Sequence, residues 1–198
     1  MAKIKVVTIG RLYCSGGSEI GRLTAKKLGV PCYDREIVEM AAKRSGIPME
    51  AINRFEESIL STLKTPISFF SKESRDITER IFAAETQVVM ELAEKGPCVI
   101  VGRCADFILK NKVRTLNVFI YSSKEKRMAK AMGPGYEIPA DEVEARLRKY
   151  DRKRRDYYNI NTTKKWGERE SYDLMLDSGK LGYELCAETI AHAAEAAG

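Results

Sequence analysis

The chain is poor in the residues from which metal sites and covalent catalytic centres are usually built. His192 is the only histidine among 198 residues, and it lies in an alanine-rich stretch near the C-terminal end. A single histidine placed in an alanine-rich C-terminal helix argues against a histidine-based metal site and against a serine–histidine triad. The five cysteines are odd in number and form no C-x-x-C pair. This pattern argues against a disulfide framework or a zinc site and predicts a reducing, cytoplasmic location.

Long apolar runs are also missing. No run is long enough to cross a bilayer, and residues 1–4 show no signal-peptide pattern. Apolar residues make up 44% of the chain and charged residues 31%, as in ordinary globular proteins. Without an internal repeat or a low-complexity segment, the sequence predicts one domain over residues 1–198 that contains a small inserted lobe and has no membrane partner.

Positive charge is concentrated in one segment. The chain carries a net charge of +6, but residues 146–169 contain ten Lys or Arg and only three Asp or Glu. That segment therefore has a charge of +7 and the remainder has −1. Such a distribution predicts a phosphate cluster or a polyanion as its neighbour, with a merely solvated helix face as the alternative.

Apolar and amphipathic runs alternate along the chain. The apolar runs predict strands at 4–9, 30–33, 98–101, 116–121 and 172–176. Helical patterns lie between them, at 18–28, 35–45, 81–92, from about 123, from about 139, and at 183–196. The alternation predicts an α/β fold with three α/β/α layers around a five-stranded parallel sheet. Residues 48–75 are less regular and are expected to form short helices outside the sheet.

A glycine-rich turn, Cys14-Ser15-Gly16-Gly17-Ser18, joins the first strand to the first helix. In this order, backbone N–H groups and the positive end of the helix dipole meet at one point, where they favour an anion. The sequence therefore predicts a phosphate site formed by main-chain amides of residues 14–18. A tight turn that needs glycine only for its backbone conformation is the alternative.

This turn departs from the common phosphate-loop pattern G-x-x-x-x-G-K-[ST]. Gly16, Gly17 and Ser18 occupy its last three places, so glycine stands where lysine is expected. Gly10 also lies six residues before Gly16 instead of five. The Ser18 hydroxyl is still a candidate ligand for magnesium, and Arg11 is the nearest candidate to replace the missing lysine charge.

Charged residues follow the second and third predicted strands. Asp34 and Arg35 come after the second strand, and Arg103 and Asp106 come after the third. The carboxyl ends of strands line the ligand crevice in doubly wound sheets. Arginine can clamp a phosphate there, and aspartate can hold a ribose, a base amine or metal-bound water. Surface salt bridges are the alternative for each pair.

The basic segment adds further arginines. On a helix, residues 148, 152 and 155 share one face, and residues 151, 154 and 158 share another. One interpretation is a lid whose arginines neutralise charge on a transferring phosphoryl group. Basic residues beside tyrosines also occur on nucleic-acid-binding surfaces, so that alternative stays open, although nucleic acid is not the expected partner.

Together these motifs resemble the bacterial cytidylate kinase-like family. The resemblance is carried chiefly by the runs YCSGGSEIG at 13–21 and VGRCAD at 101–106, with further matches at 9–11, 33–37, 151, 154, 157–158, 166 and 172–174. It implies a P-loop kinase fold with a core at 1–36 and 79–198, a helical acceptor-binding insertion at about 37–78, and a lid at about 146–169. The family usually has serine at position 10 and glycine at position 14, where this chain has Gly10 and Cys14.

The resemblance and the strand-end pattern together assign expected roles. Donor phosphates are assigned to Ser15, Gly16, Gly17 and Ser18, with Ser18 also contacting Mg²⁺. Acceptor binding is assigned to Asp34, Arg35, Arg103, Asp106, Asp151 and Arg154, and catalytic charge neutralisation to Arg11, Arg103, Arg152 and Arg155. The expected activity is transfer of the ATP γ-phosphate to a small acceptor, first of all a pyrimidine nucleoside monophosphate such as CMP.

Three other functions remain open from the sequence. They are a kinase of another small metabolite, a nucleotide-sensing protein without turnover, and a nucleic-acid-binding protein. A homodimer formed through aromatic residues of the 48–78 segment is a further expectation.

Overall fold

A computed structural model of the chain describes residues 4–52 and 72–197, and for residues 72–75 it describes the backbone only. The strands are β1 (Val6–Arg11), β2 (Cys32–Tyr33), β3 (Cys98–Val101), β4 (Thr115–Tyr121) and β5 (Leu174–Asp177). The helices are α1 (Gly17–Leu28), α2 (Glu36–Ser45), α3 (Lys72–Lys95), α4 (Ala105–Ile108), α5 (Lys124–Met132), α6 (Ala140–Asn161), α7 (Ser178–Leu181) and α8 (Tyr183–Ala196), and residues 49–52 are also helical.

The five strands form one sheet in the order β2-β3-β1-β4-β5, and every neighbouring pair is parallel. β1 is central and pairs with β3 on one side and with β4 on the other. The carboxyl ends of all five strands therefore meet at one edge of the sheet. That edge carries Arg11, Asp34 and Arg103 at or just after the ends of three neighbouring strands.

Side chains of the central strands alternate between two cores. Val6 and Ile100 pack in a cluster with residues of α2, α3 and α4, whereas Val7 and Val99 pack in a second cluster with α1 and α8. This alternation is the two-residue period of a strand buried on both faces. The predicted three-layer α/β/α fold with a five-stranded parallel sheet is confirmed.

Glycines end the first two helices. Gly29 closes α1 with φ 65°, and its N–H group donates to the carbonyls of Ala25 and Lys26. Gly46 closes α2 with φ 67°. Left-handed positions of this kind favour glycine, which has no Cβ to clash with the preceding turn.

The predicted basic lid begins inside a longer element. Residues 146–161 are the continuation of α6, which starts at Ala140 and runs for 22 residues. Residues 53–71 of the predicted helical insertion, which include the aromatic residues considered for a dimer contact, lie outside the described residues. Among the helices that the structure describes, none has the length and apolar content needed to cross a membrane.

We expect the core between α8, α1 and the sheet to be sensitive to cavity formation. Ile190 is fully buried there, whereas Leu185 on the same helix is exposed. Ile190→Ala should lower the free energy of unfolding by about 2–5 kcal/mol. The matched substitution Leu185→Ala should change it by less than about 0.5 kcal/mol. Urea denaturation followed by circular dichroism measures both, and equal effects would contradict this packing.

Candidate functional site

A cavity of about 660 Å³ opens at the carboxyl edge of the sheet. Seven of the residues that the sequence assigns to a site line it, namely Arg11, Ser18, Asp34, Arg35, Arg103, Asp106 and Arg154. They come from β1, α1, the turn after β2, the segment after β3, and α6. The structure does not bring the side chains of Ser15, Asp151, Arg152 and Arg155 to this cavity, nor Gly16 and Gly17.

The glycine-rich turn presents free amide groups at the start of α1. Gly16 is the N-cap residue with φ 79°, and no side chain caps the helix. Within the described residues, the N–H groups of Gly16, Gly17 and Ser18 have no hydrogen-bond acceptor. The first N–H groups of a helix are the ones that bind an anion. The local backbone is thus competent to bind phosphate at positions 16–18.

Ser15 has a different environment. Its amide donates to the Leu12 carbonyl at 3.3 Å, and its hydroxyl lies 2.8 Å from that same oxygen and 3.1 Å from the Ile120 carbonyl. The Ser15 carbonyl in turn accepts from the Ser178 hydroxyl at 2.7 Å. These contacts fix the loop to β4 and α7, so the Ser15 side chain stabilises the turn and does not face the cavity.

Arg11 fills the space that a lysine at position 17 would need. A Cβ atom built on Gly17 would lie 2.5 Å from the Arg11 Cβ and 2.7 Å from its Cγ. Real Cβ atoms do not approach other atoms so closely, so the arginine stem makes glycine necessary at position 17. The arginine at position 11 and the glycine at position 17 therefore depend on each other, because the arginine stem occupies the space that a lysine side chain would need.

The Arg11 guanidinium then extends along the cavity wall. Its Nη2 is 3.0 Å from Asp34 Oδ1, and a Cβ on Gly102 would collide with its Nη1. Among the described residues, its buried Nε has no hydrogen-bond partner. Burial is the main cause that lowers the pKa of Arg11 to about 9, and the neighbouring Arg154 acts in the same direction. A bound anion would supply the missing acceptor and oppose both effects.

Asp34 links Arg11 to Ser18. The Ser18 hydroxyl donates to Asp34 Oδ2 at 2.6 Å, while Arg11 contacts the other carboxylate oxygen. A hydroxyl and a carboxylate at the start of α1 are oxygen ligands that Mg²⁺ accepts, with phosphate oxygens and water completing the shell. The described residues contain no cluster of three His, Cys, Asp or Glu that could hold a metal ion unaided. The donor set thus fits a magnesium ion that arrives with a nucleotide.

Asp106 and Arg103 also line the cavity. Asp106 Oδ2 accepts from the Tyr158 hydroxyl at 2.6 Å and lies 3.7 Å from Lys164 Nζ. Burial is the main cause that raises the pKa of Asp106, and Tyr158 and Lys164 oppose it. Arg103 Nη1 donates to Glu85 Oε1 at 3.0 Å.

Helix α6 is attached to the glycine-rich loop through Asp151. This carboxylate accepts from the Tyr13 amide at 2.7 Å and from Arg127 Nη1 at 2.6 Å. Arg127 also donates to the Tyr13 carbonyl at 3.1 Å, and the Tyr13 and Tyr150 rings stack with centroids 4.4 Å apart. Asp151 thus holds the loop in place rather than projecting into the cavity.

The face of α6 that meets the cavity matches the predicted faces only in part, because Arg154 and Tyr158 line the cavity but Asp151, Arg152 and Arg155 do not. Tyr150, Lys153, Arg154 and Tyr157 line the cavity, in the i, i+3, i+4, i+7 spacing of one helix face. Arg152 and Arg155 lie on the exposed side. Lys153 was missed by the sequence analysis, and the spacing of the two tyrosines around it was the available signal.

The cavity is rich in aromatic side chains that sequence reasoning did not assign to the site. They are Tyr13, Tyr136, Tyr150, Tyr157, Tyr158, Trp166 and Tyr172. Tyr172 also explains glycine at position 10, because a Cβ there would lie 3.2 Å from the tyrosine ring and 2.9 Å from Phe119 Cδ2. Cys14 packs its buried side chain with apolar residues of α5 and α6.

The parallel sheet, the anion-competent turn after β1 and the arginine-lined edge together define a P-loop kinase fold. Residues 6–180 match the model of the cytidylate kinase-like family, and the chain belongs to that family. Among curated proteins, no sequence gives a significant match.

Solved structures agree on the fold. An uncharacterised protein from Eubacterium ventriosum is 21% identical with a TM-score of 0.69, over 93% of this chain and 94% of that one. A shikimate kinase from Acinetobacter baumannii, in complex with shikimate, is 16% identical with a TM-score of 0.53, over 96% and 92%. An APS kinase from Mycobacterium tuberculosis, in complex with AMPPNP and APS, is 16% identical with a TM-score of 0.50, over 96% of each chain.

We expect Asp151 to stabilise the protein through the loop contact. Asp151→Ala removes a charged hydrogen bond to the Tyr13 amide and an ion pair with Arg127, so the free energy of unfolding should fall by about 1.5–3 kcal/mol. Lys149→Ala, at an exposed position of the same helix, should change it by less than about 0.5 kcal/mol. Thermal and urea unfolding test this pair. An Asp151→Ala protein as stable as the parent would show that the contact does not hold the loop.

Proposed function

We propose that this member of the cytidylate kinase-like family transfers the γ-phosphate of ATP to a small anionic acceptor, with a pyrimidine nucleoside monophosphate such as CMP as the first candidate. The observation that carries the proposal is the position of Arg11. Its stem lies on Gly17 at the start of α1 and its partly buried guanidinium lies beside Asp34, so the side chain brings a cation to the part of the loop that has free amides.

The donor phosphates fit the start of α1. The N–H groups of Gly16, Gly17 and Ser18 would donate to the phosphate oxygens, and Arg11 would supply the positive charge that lysine provides in other P-loop proteins. Ser18 and Asp34 would hold the magnesium ion that accompanies ATP. When bound, that ion neutralises phosphate charge and orients the γ-phosphate.

The acceptor side is both cationic and aromatic. Of the residues that the structure describes, five basic ones, Arg11, Arg35, Arg103, Lys153 and Arg154, line the cavity against three acidic ones, Asp34, Glu39 and Asp106. A guanidinium group can form a bidentate pair of hydrogen bonds with a phosphate, and a tyrosine ring can stack on a planar base. A volume of about 660 Å³ is ample for a nucleotide. These features support an acceptor that combines a phosphate with a flat ring.

The reaction would need no covalent intermediate on the protein. An already ionised acceptor phosphate oxygen attacks the γ-phosphorus, the bond to the β,γ-bridging oxygen breaks, and ADP leaves. Arg11, Arg103 and Arg154 would offset the negative charge on the donor, the acceptor and the phosphoryl group in transit. The residues thus act by positioning and by charge neutralisation.

A product assay with ATP, Mg²⁺ and a panel of nucleoside monophosphates tests the activity. We expect ADP and a nucleoside diphosphate to form, most rapidly with CMP or another pyrimidine. Arg103→Ala should lower kcat/KM by about a hundredfold or more, because it removes a cation from the reacting phosphates. Arg148→Ala, on the exposed side of α6, is the control that should leave kcat/KM unchanged.

The alternatives give different results in the same assay. ATP turnover with sugars or other metabolites, but with no nucleoside monophosphate, would show that the protein is a kinase of a different acceptor. Binding of ATP or CMP in calorimetry without transfer to any acceptor would contradict the proposal and favour a nucleotide-sensing protein. Full activity of Arg103→Ala would remove Arg103 from the acceptor site.

An exchange of residues between positions 11 and 17 tests the role of Arg11. Gly17→Lys alone should abolish activity, because the new side chain collides with the Arg11 stem. Arg11→Gly alone should lower kcat/KM by about a hundredfold or more, because the loop loses the cation whose stem lies against Gly17. Glycine is chosen at position 11 because the Cβ atom of an alanine there would collide with the Cβ atom of a lysine at position 17.

The double variant Arg11→Gly/Gly17→Lys should recover activity above both single variants, since lysine then has room and restores the charge. Steady-state kinetics with ATP and the best acceptor measure all three proteins. A double variant no more active than Arg11→Gly would show that Arg11 does not act in place of the lysine.

A further inference from the structure

Helix α3 buries one carboxylate among apolar side chains. Glu85 is fully buried, and its helix neighbours Ile81, Val88, Val89 and Leu92 are buried apolar residues. Burying a carboxylate is costly unless it is paired and hydrogen bonded. Leucine at this position would continue the apolar face without that cost, so the acid needs another explanation.

Both oxygens of Glu85 face residues that line the cavity. Oε1 accepts from Arg103 Nη1 at 3.0 Å, and Oε2 accepts from the Tyr157 hydroxyl. Burial is the main cause that raises the pKa of Tyr157, and Glu85 adds to it, so this phenol remains a donor. The Arg103 guanidinium also lies over the Tyr157 ring, 5.7 Å from its centroid.

Arg103 needs such support because of its surroundings. Its long side chain leaves the backbone from a left-handed residue with φ 55°, in the turn between β3 and α4. It also shares the cavity with Arg11, whose pKa it lowers by repulsion. A flexible cation next to another cation would tend to move away from it, toward solvent. The fixed carboxylate on α3 counteracts that tendency.

We propose that Glu85 is a positioning residue that holds the Arg103 guanidinium at the phosphate-binding cavity, with Tyr157 orienting the carboxylate from α6. The contact joins three elements, α3, the turn after β3, and α6, around one guanidinium. This inference rests on the proposed function, in which Arg103 binds the acceptor and the phosphoryl group in transit.

The first experiment compares Glu85→Gln with Glu91→Gln. Glu91 lies on the same helix in a half-exposed ion pair with Arg44, away from the cavity lining, and is the matched control. In assays with ATP and CMP, Glu85→Gln should raise KM for CMP and lower kcat/KM by about tenfold to a hundredfold. KM for ATP should stay unchanged, whereas a general structural defect would alter both. Glu91→Gln should behave like the parent protein.

A double-mutant cycle shows whether Glu85 acts through Arg103. In the Arg103→Ala background, Glu85→Gln should cause no further loss of kcat/KM, because its target is gone. Additive losses would overturn the proposal. If Glu85→Gln does not fold, Tyr157→Phe takes its place in the cycle, since it removes one hydroxyl and keeps the ring.

A measurement without turnover separates this inference from the proposed function. In the ligand-free protein, ¹⁵N NMR should show restricted rotation of the Arg103 guanidinium, and Glu85→Gln should restore fast rotation. A freely rotating Arg103 in the parent protein would overturn the inference. If the NMR result is as expected but no acceptor is phosphorylated, the proposed function fails and the positioning contact stands.

Discussion

The architecture of the site depends on the contact between Arg11 and Gly17. Because the arginine stem lies directly on the glycine, position 17 has no room for a side chain, and the cation comes from the end of β1 instead of the start of α1. Asp34 then ties this guanidinium to the Ser18 hydroxyl. Through Asp34, this ion pair connects the first strand, the start of α1 and the end of the second strand.

Around this contact the protein holds positive charge in a buried place. Burial lowers the pKa of Arg154 as well as that of Arg11, and the carboxylates of Asp34, Asp151 and Glu85 offset the charges of Arg11, Arg154 and Arg103. Concentrating cations in low dielectric is unfavourable without a counterion. The arrangement makes physical sense if the cavity receives an anion. Helix α6 forms part of the cavity wall and is attached to the loop through Asp151.

Much of the fold and part of the candidate site could be predicted from the local sequence. Alternating apolar and amphipathic runs predicted the sheet. The rule that parallel strands end at one edge predicted that Asp34 and Arg103 lie close together, and both line the cavity in the structure. It was harder to predict which side of α6 faces the cavity, because a helix with basic residues on most faces gives no clear polar stripe. Lys153 was missed for this reason. Glu85 carried no local signal, since its partners Arg103 and Tyr157 are 18 and 72 residues away in sequence.

The most direct test of the account is a crystal structure of the protein with AMPPNP and Mg²⁺. The account predicts the γ- or β-phosphate within hydrogen-bond distance of the Arg11 guanidinium and of the amides of residues 16–18, with Ser18 and Asp34 next to the metal ion. A nucleotide bound elsewhere, with Arg11 still paired only to Asp34 and the loop amides unoccupied, would contradict it.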